Sequence, residues 1–531
     1  MEEPKILILS TETSDFITKF LSAFKESQTY YVDSKSDKIV NSALVYEKIR
    51  VALEYQEEHL VFKNAISRIV RRKITLSPNI TPKELINDLI SELSWANYIN
   101  PELLSDEKWE EIEKLIDRYL ILLRSARSGR FNNHELQKII IDWLAVDIDV
   151  FLKPHHENDY LIDYTYSVLK QNLILDGSRV TEEENEIELK SIIYTLLIKP
   201  DLSQIQAWLV NKLYPELHTC DREELKKFGR SFDPNFNKID HYINHPNRNR
   251  YNLFVKRSIP PFLVMKAALI TGNLDASKII EEPGRLHSLS LDVYSTMIQS
   301  VRRKVVQATI RSFIFIFLSK VSLAFIIEVP YDRWATGTVN MLSLFINILM
   351  PPVLMFVSGI FVKSPPKKNY SVMSESLSNI LFKHRLDDKL FPLIEKKKPR
   401  FFEVFNAIYS IISMAVIALS LWMLISLDFN IVSIFLFYFF VSVVSFFAFR
   451  IRNIALELAM RRGRDDAITS LIELAFLPFI RVGRYLSSQI SRFNPFILFL
   501  DFLIEAPLKT IIKIVNSWYR FISSKKDEIE L

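Results

Sequence analysis

Four apolar runs in the second half of the chain restrict its fold more than any other feature. They cover about residues 305–329, 339–362, 404–427 and 431–449. A helix that rises about 1.5 Å per residue needs roughly 20 residues to cross the hydrocarbon core of a bilayer, and each run is near that length. The sequence therefore predicts a membrane domain over residues 301–450 with four transmembrane helices.

The charges that flank these runs predict the topology. Basic clusters precede the first run (VRRK), separate the second from the third (KSPPKK, EKKKPR) and follow the fourth (RIR, RRGR), whereas the other two connections are short. Because basic loops stay in the cytoplasm, this pattern indicates two hairpins with cytoplasmic N- and C-termini. Trp334 and Trp422 fall near the predicted outer ends, as is typical of aromatic belts, and Glu328 and Asp428 are expected to be exposed to water there. We expect a multi-pass protein of the plasma (inner) membrane.

Residues 1–300 have a different character. They contain 38 Lys and Arg against 45 Asp and Glu, whereas residues 301–531 contain 29 against 17. Periodic apolar positions separated by turn signals predict a cytosolic, mostly helical, soluble domain, with a short β-α-β start at residues 5–34. One helix start is marked by a capping box, in which Glu84 follows Thr81 by three residues. Together the two halves predict a mainly α fold.

The composition argues against several classes of function. The chain has only nine glycines, and none forms the GxG of a phosphate-binding loop. Its single cysteine, Cys220, is incompatible with an intramolecular disulfide framework or a multi-cysteine metal site. The histidine-containing stretches PHHEND and DHYINH lack metal-ligand spacing, and the basic surplus is typical of membrane flanks rather than of a nucleic-acid surface. We therefore expect no enzyme activity, no cofactor, no metal and no nucleic-acid partner.

Lys320 lies inside the first apolar run and is the best candidate for a functional residue. A charged side chain at the centre of a membrane helix costs roughly 2.5 to 3.5 kcal/mol on insertion scales, so it needs a partner. The second run offers Asn340 and Asn347 on one face, and Pro351 and Pro352 in its interior. Because proline has no N–H, the carbonyls four residues earlier are left without a donor. We predict that Lys320 contacts Asn347 and these carbonyls.

This pairing depends on where the first helix begins. If it begins near Val305, Lys320 and Asn347 lie at about the same height, whereas a start at Ser312 separates their heights by about 10 Å. The contact is expected either to fix the packing of the helices or to line a path for an ion or solute. A lysine that extends to the interface is a further alternative.

Residues 451–531 contain two shorter apolar segments interrupted by acidic residues and prolines. This pattern predicts amphipathic helices in the cytoplasmic interface, followed by a charged tail, and a re-entrant pair is the alternative. Five basic residues are expected near lipid phosphates: Arg481, Arg484, Arg492, Lys509 and Lys513.

The size of the predicted cytosolic part, compared with the outer loops, suggests that the cytosolic part carries the function. About 300 residues are predicted to face the cytoplasm, while the outer loops are very short. The leading hypothesis is a scaffold, assembly or recruitment module at the membrane, with the lipid bilayer and a cytosolic protein or a second copy of the chain as partners. The alternatives are a transporter or channel component, with Lys320 and the Pro351–Pro352 kink along its path, and a membrane-bound enzyme.

Overall fold

The fold is mainly α, as the sequence predicts. A computed structural model describes residues 8–29, 60–96, 98–101, 104–174, 181–245, 248–272, 276–337, 339–360, 368–386, 391–392, 402–460, 474 and 476–486. These residues form two compact units. The first contains residues 8–286 together with 378–392, and the second contains residues 287–377 together with the described residues beyond 402.

The first unit is a set of helices joined by short turns. They are α1 (Thr11–Thr29), α2 (Val61–Leu76), α3 (Pro82–Trp95), α4 (Asp106–Ser125), α5 (Asn133–Leu152), α6 (His156–Lys170), α7 (Glu182–Ile198), α8 (Leu202–Leu213), α9 (Arg222–Arg230), α10 (Phe232–Ile243), α11 (Arg248–Ser258), α12 (Pro260–Thr271) and α13 (Ala276–Glu281). A parallel pair of two-residue strands, β1 (Leu173–Ile174) and β2 (Phe391–Pro392), joins the end of α6 to the later segment.

Capping side chains set where many of these helices begin. Thr81, Asn132, Thr181 and Asp201 each accept a hydrogen bond from the backbone N–H three residues later, and the Glu or Gln at that position completes a capping box. Each cap satisfies backbone donors that the first helical turn leaves without partners, which stabilises a helix by about 1 kcal/mol. The capping box predicted at Thr81 is confirmed.

The core of the first unit is apolar and aromatic. Trp143 of α5 is fully buried and stacks on Phe232 and Phe236 of α10, with ring centroids 5.8 and 6.2 Å apart. The indole N–H donates to Gln206 of α8 over 3.3 Å, so the polar edge of the ring is also satisfied. These contacts hold α5, α8 and α10 together as one hydrophobic core.

The predicted β-α-β start is only partly described. Its helix is present as α1, and residues 8–10 before it are not a strand. The remaining parts of the predicted start, residues 5–7 and 30–34, lie outside the described residues.

The second unit contains the helices that could cross a membrane. They are α14 (Pro283–Leu323), a π-helical turn (Ala324–Glu328), α15 (Val329–Thr336), α16 (Met341–Ile360), α17 (Lys368–Lys383, whose last turn belongs to the first unit), α18 (Phe402–Ser426) and α19 (Ile431–Ala455). Four helical stretches are long and apolar enough to span a bilayer: α14 with its continuation to residue 335, α16, α18 and α19. Four such helices confirm that the chain has the features of a membrane protein.

The first of these stretches differs from its predicted bounds at both ends. The expected domain boundary at residue 300 falls inside α14, which begins at Pro283, and the helix continues past residue 329. No glycine or proline lies between Gly284 and Pro330 to interrupt it. The boundary between the compact units lies instead at Leu286.

Apolar side chains cover the outside of the four stretches. In α18 only 6% of the most apolar window is buried within the chain, and Ile411, Met414 and Leu419 are more than half exposed. A soluble protein rarely leaves a continuous surface of this kind in water. This surface is typical of a helix that is surrounded by lipid.

Glu188 of α7 is an unusual member of the first unit's interior. Its side chain is 3% exposed, and neither carboxylate oxygen has a hydrogen-bond donor among the described residues. Arg248 of α11 lies 3.7 Å away but donates to Ser191 and to the carbonyl of Tyr242. Burial raises the pKa of Glu188 to about 7, and Arg248 opposes this shift only in part.

We predict that this carboxyl makes the stability of the first unit dependent on pH. Because its folded pKa lies above the ordinary value near 4.5, its contribution is fully present below that value and is lost as the pH rises through 7. The free energy of unfolding should fall by on the order of 3 kcal/mol between pH 4.5 and pH 8. Glu188→Gln should flatten this dependence and stabilise the unit at pH 8, measured by thermal unfolding of the purified protein.

Glu84→Gln is the matched control. Hydrogen bonds from Thr81 lower the pKa of Glu84, so its contribution is lost on acidification, the opposite direction. A pH profile that Glu188→Gln leaves unchanged would show that Glu188 is not the responsible group.

Candidate functional site

The candidate site is an ion pair inside the membrane-spanning helices. The ammonium of Lys320 donates to Glu328 Oε1 over 2.6 Å, and both side chains are fully buried. Lys320 Nζ also lies 5.1 Å from the centre of the Phe440 ring, within the range of a cation–π interaction. Each charge therefore has a partner within the protein, which is the condition for burying charges in hydrocarbon.

The π-helical turn explains how two residues eight positions apart can pair on one helix. At about 100° per residue, an α-helix places position i+8 about 80° away from position i, whereas position i+7 falls within about 20°. A π turn contains one extra residue. Residues 324–328 take this form, closed by a hydrogen bond from Val329 N–H to Ala324 O, and so bring Glu328 onto the face of Lys320.

Pro330 stands directly after this turn. Its ring has no N–H and would collide with the carbonyl four residues earlier in a regular α-helix. A wider turn accommodates this ring without ending the helix, which continues to Thr336. Pro330 therefore accompanies the turn that forms the ion pair.

Asn347 of α16 joins the pair from a second helix. Its side-chain nitrogen lies 2.9 Å from both oxygens of Glu328 and 3.3 Å from the carbonyl of Ser433 at the start of α19. The carboxylate thus links the first membrane helix to the second, and Asn347 links both to the fourth. Asn347 is fully buried, and its side-chain oxygen has no donor among the described residues.

A second polar contact lies nearer the ends of the same helices. Asn430 caps α19 by accepting from Ser433 N–H over 2.8 Å, and its side-chain nitrogen donates to Asp332 of α15. This contact holds the end of the first membrane helix against the start of the fourth. Polar contacts at two levels therefore fix the relative position of these helices.

The predicted partner set of Lys320 is only partly brought together. α14 begins well before Val305, so the condition for the predicted depth is met. Asn347 is at the site, but Lys320 reaches it through Glu328 rather than directly. Asn340 lies apart and is exposed, and it accepts from the N–H groups that begin α16.

The proline pair also has a different role from the one expected. Pro351 and Pro352 are buried in the interior of α16, which continues through both of them. The lysine ammonium donates to the Glu328 carboxylate instead of to the carbonyls that these prolines leave free, because a charged acceptor is the stronger partner.

The expectation that Glu328 is exposed at an outer helix end was wrong. Its side chain is fully buried, whereas Asp428, predicted alongside it, is exposed. The error came from ending the first helix at about residue 329, which placed Glu328 at its outer end. The signal that could have identified it is the spacing: position i+7 shares the helix face of a buried lysine, and one extra residue in the helix brings position i+8 to that face.

The basic residues predicted at lipid phosphates are described only in part. Residues 476–486 are helical, Arg481 and Arg484 are exposed, and the guanidinium of Arg481 lies 5.5 Å from the Tyr409 ring centre. The remaining three predicted residues, Arg492, Lys509 and Lys513, lie outside the described residues.

This C-terminal helix packs against α19. Phe479 stacks on Tyr438, and a side chain at Gly483 would overlap the carbonyl of Ser442. Ser442 lies about 16 Å from the start of α19 and about 20 Å from its end. The interfacial and re-entrant alternatives both stay predictions.

The N-terminal helices form a second contact region at the C-terminal end of α17. The hydroxyls of Thr13 and Tyr164 lie 2.7 Å apart and each lies 3.3 Å from the carbonyl of Ile380, so that one hydroxyl donates to the other and the second donates to the carbonyl. The carbonyl of Leu381 accepts from Ser10 N–H over 3.1 Å. The last four carbonyls of a helix have no partner within it, so these donors satisfy groups that α17 leaves open. We call this contact the α17 cap.

His384 completes the α17 cap. It follows α17 with a φ of +49°, the left-handed conformation that ends many helices. Its ring lies 3.1 Å from Ser167 Oγ and packs on Tyr164, while its carbonyl accepts from Gln171 over 3.0 Å. The chain between the second and third membrane helices is therefore part of the N-terminal fold.

Cys220 lies two residues after His218 in the sequence, and a cysteine beside a histidine can act as a nucleophile. Its thiol faces the Leu217 carbonyl over 3.9 Å and accepts from Arg118 over 3.3 Å, while His218 contacts Asn211. Burial raises the pKa of the thiol, which disfavours the reactive thiolate. These contacts are those of a structural residue.

No protein-family model matches the chain, and no curated protein sequence or solved structure is significantly similar to it. Function is therefore inferred from the contacts themselves.

We predict that the ion pair behaves as a coupled unit. Lys320→Met leaves the carboxylate of Glu328 buried without its cation and should destabilise the membrane helices by about 3 kcal/mol or more. Lys320→Met combined with Glu328→Gln should cost much less than the two single substitutions together. The measurement is the melting temperature of the protein in detergent, followed by size-exclusion chromatography.

Asp428→Asn is the control, since it removes an acidic group that is exposed rather than paired. Additive losses in the double variant would contradict the coupling.

A second prediction concerns the π turn. Deleting Ile326, together with Pro330→Ala, should convert the turn to α-helix and leave Lys320 and Glu328 seven positions apart, still on one face. The protein should keep most of its thermal stability. Leu318 lies in regular α-helix, and its deletion should lower the thermal stability far more. The side chains of Ile326 and Leu318 are both more than half exposed, so the difference does not come from lost burial. Equal losses would show that the turn does not set the register of the pair.

Proposed function

We propose that this protein is a membrane-anchored scaffold, whose N-terminal helical unit recruits or organises a partner at a fixed position on the membrane. The observation that carries the proposal is the α17 cap. A domain that only tethered the chain would need one covalent link to the membrane helices. This unit incorporates a segment from the connection between two of those helices.

The membrane helices support an anchoring role. Lys320 and Glu328 are paired and fully buried, and their contacts connect three helices. A closed, paired network of this kind rigidifies helix packing rather than exposing charge to a passing solute. The largely unburied surface of α18 fits either lipid or a second copy of the chain.

Transport is the second candidate, and one observation favours it. Among the residues that the structure describes, none donates to the buried side-chain oxygen of Asn347, which lies beside a lysine–glutamate pair. Ionisable groups inside membrane helices commonly mark ion or proton paths, and an unsatisfied acceptor is a place where a proton donor or cation can bind. The transport hypothesis involves the same buried residues as the anchoring role of the membrane helices, but it predicts ion flux across the membrane.

Two measurements separate these functions. Cross-linking in native membranes should identify partners that bind the full chain and are lost when residues 1–282 are removed. Purified full-length protein in liposomes should show no proton or monovalent-cation flux above that of empty vesicles.

Flux that Lys320→Met combined with Glu328→Gln abolishes would replace the scaffold by the transporter. An unchanged set of cross-linked partners after the deletion would also overturn the scaffold.

A further inference from the structure

Helices α14 and α19 of the second unit run side by side in opposite directions. The ammonium of Lys320 in α14 lies 5.1 Å from the centre of the Phe440 ring in α19. Five positions earlier in α14, Phe315 packs edge to face against Phe447, which is seven positions later in α19, with ring centres 6.5 Å apart. Positions that decrease along α14 therefore lie beside positions that increase along α19.

Two arginines come next in this direction, one from each helix. Arg311 lies four positions before Phe315, and Arg450 lies three positions after Phe447. Residues three or four positions apart are neighbours on the surface of a helix, so each arginine continues the face of its aromatic residue. Both arginine side chains are exposed. The contact between the aromatic rings thus places both arginines at the same end of the groove between α14 and α19.

This end of the groove lies where the apolar part of both helices stops. Arg311 is the last charged residue of α14 before the buried Lys320, and Arg450 is the first charged residue of α19. At such a boundary a bilayer changes from hydrocarbon to headgroups, and arginine side chains near helix ends extend to the headgroups. Lys304, which is also exposed, lies seven positions before Arg311 on the same face and about 10 Å further out along the helix.

The positive charge of this region is not balanced within the two helices. The chain contains no Asp or Glu between Asp292 and Glu328, and α19 contains none. In the part of the chain that the structure describes, Lys304, Arg311 and Arg450 form no salt bridge. The groove therefore presents three exposed cations at the level of the headgroups, without an acidic partner among the described residues.

We propose that the groove between α14 and α19 binds an anionic phospholipid, with its phosphate between Arg311 and Arg450 and an acyl chain along Phe315 and Phe447. A guanidinium group can bind a phosphate through two parallel hydrogen bonds. Phe315 is more than half exposed, so its ring offers apolar surface to an acyl chain. A zwitterionic headgroup carries its own cation, which these side chains would repel, so the site prefers a lipid with net negative charge.

The apolar part of the groove favours a lipid over an acidic segment of a protein. The aromatic pair follows directly from the arginines, toward the middle of the membrane helices, at a depth that a lipid chain occupies and a charged peptide avoids. This inference does not depend on whether the N-terminal unit recruits a partner.

The test is native mass spectrometry of the full-length protein in detergent, titrated with phosphatidylglycerol or with phosphatidylcholine of the same acyl chains. Arg311→Gln combined with Arg450→Gln should lower the affinity for phosphatidylglycerol roughly twentyfold, because each basic side chain near a membrane surface contributes about fivefold. The affinity for phosphatidylcholine should change much less.

Arg302→Gln combined with Arg333→Gln is the matched control, because it removes the same charge from two other exposed arginines. Arg302 lies nine positions before Arg311, on the opposite side of α14, and Arg333 lies at the other end of the first membrane-spanning stretch. The control should keep its affinity for phosphatidylglycerol. A loss as large as that of the Arg311 and Arg450 variant would indicate general attraction to positive charge and would overturn the site.

Arg311→Lys combined with Arg450→Lys keeps both charges and replaces the neutral variant if the latter does not fold, as judged by size-exclusion chromatography. It should still prefer phosphatidylglycerol, but with an affinity several-fold below that of the unmodified protein, because lysine lacks the paired donors of arginine. Equal affinities of the unmodified protein for the two lipids would contradict the proposal. So would displacement of phosphatidylglycerol by an equal concentration of inorganic phosphate.

Discussion

The buried pair of Lys320 and Glu328 is the interaction on which the membrane part of the structure depends. Two opposite charges placed in hydrocarbon are tolerated only if they meet, and they meet only because a π turn adds one residue to the helix between them. Asn347 then ties the carboxylate to a second helix and to the carbonyl of Ser433. The positions of three membrane helices follow from this one requirement.

The N-terminal unit depends on a different kind of requirement. The last carbonyls of a helix need donors, and α17 obtains them from α1 and α6 rather than from water. Since α17 comes from the connection between two membrane helices, the N-terminal fold is completed only after that connection has been made. This dependence is what makes the unit an integral part of the membrane protein and supports a role in organising partners there.

The two regions suggest how function could be divided along the chain. Within the described part of the chain, the charges of the ion pair have partners and one oxygen of Asn347 is buried without a donor. The N-terminal unit offers the larger surface and contains Glu188, a buried carboxyl whose pKa of about 7 makes its charge sensitive to physiological pH.

Much of the architecture is determined by the sequence alone. The four apolar runs, the basic clusters between them and the capping residues such as Thr81 are local signals, and they predicted the mainly α fold, the four membrane helices and many helix starts. Each of these signals involves residues within one helix or one turn, so it can be recognised from a short stretch of sequence. Lys320 was also identified locally, because a charge in an apolar run needs a partner whatever that partner is.

The partner itself was decided only by the tertiary structure. Glu328 was assigned to an exposed helix end because the apolar run ends at about residue 329, whereas the helix continues to Thr336 and a π turn brings the acid onto the face of Lys320. The α17 cap joins residues more than 200 positions apart, and the contact of Gly483 with Ser442 places a C-terminal helix beside the middle of a membrane helix. Such contacts depend on how separate helices pack, and no pattern within one segment contains that information.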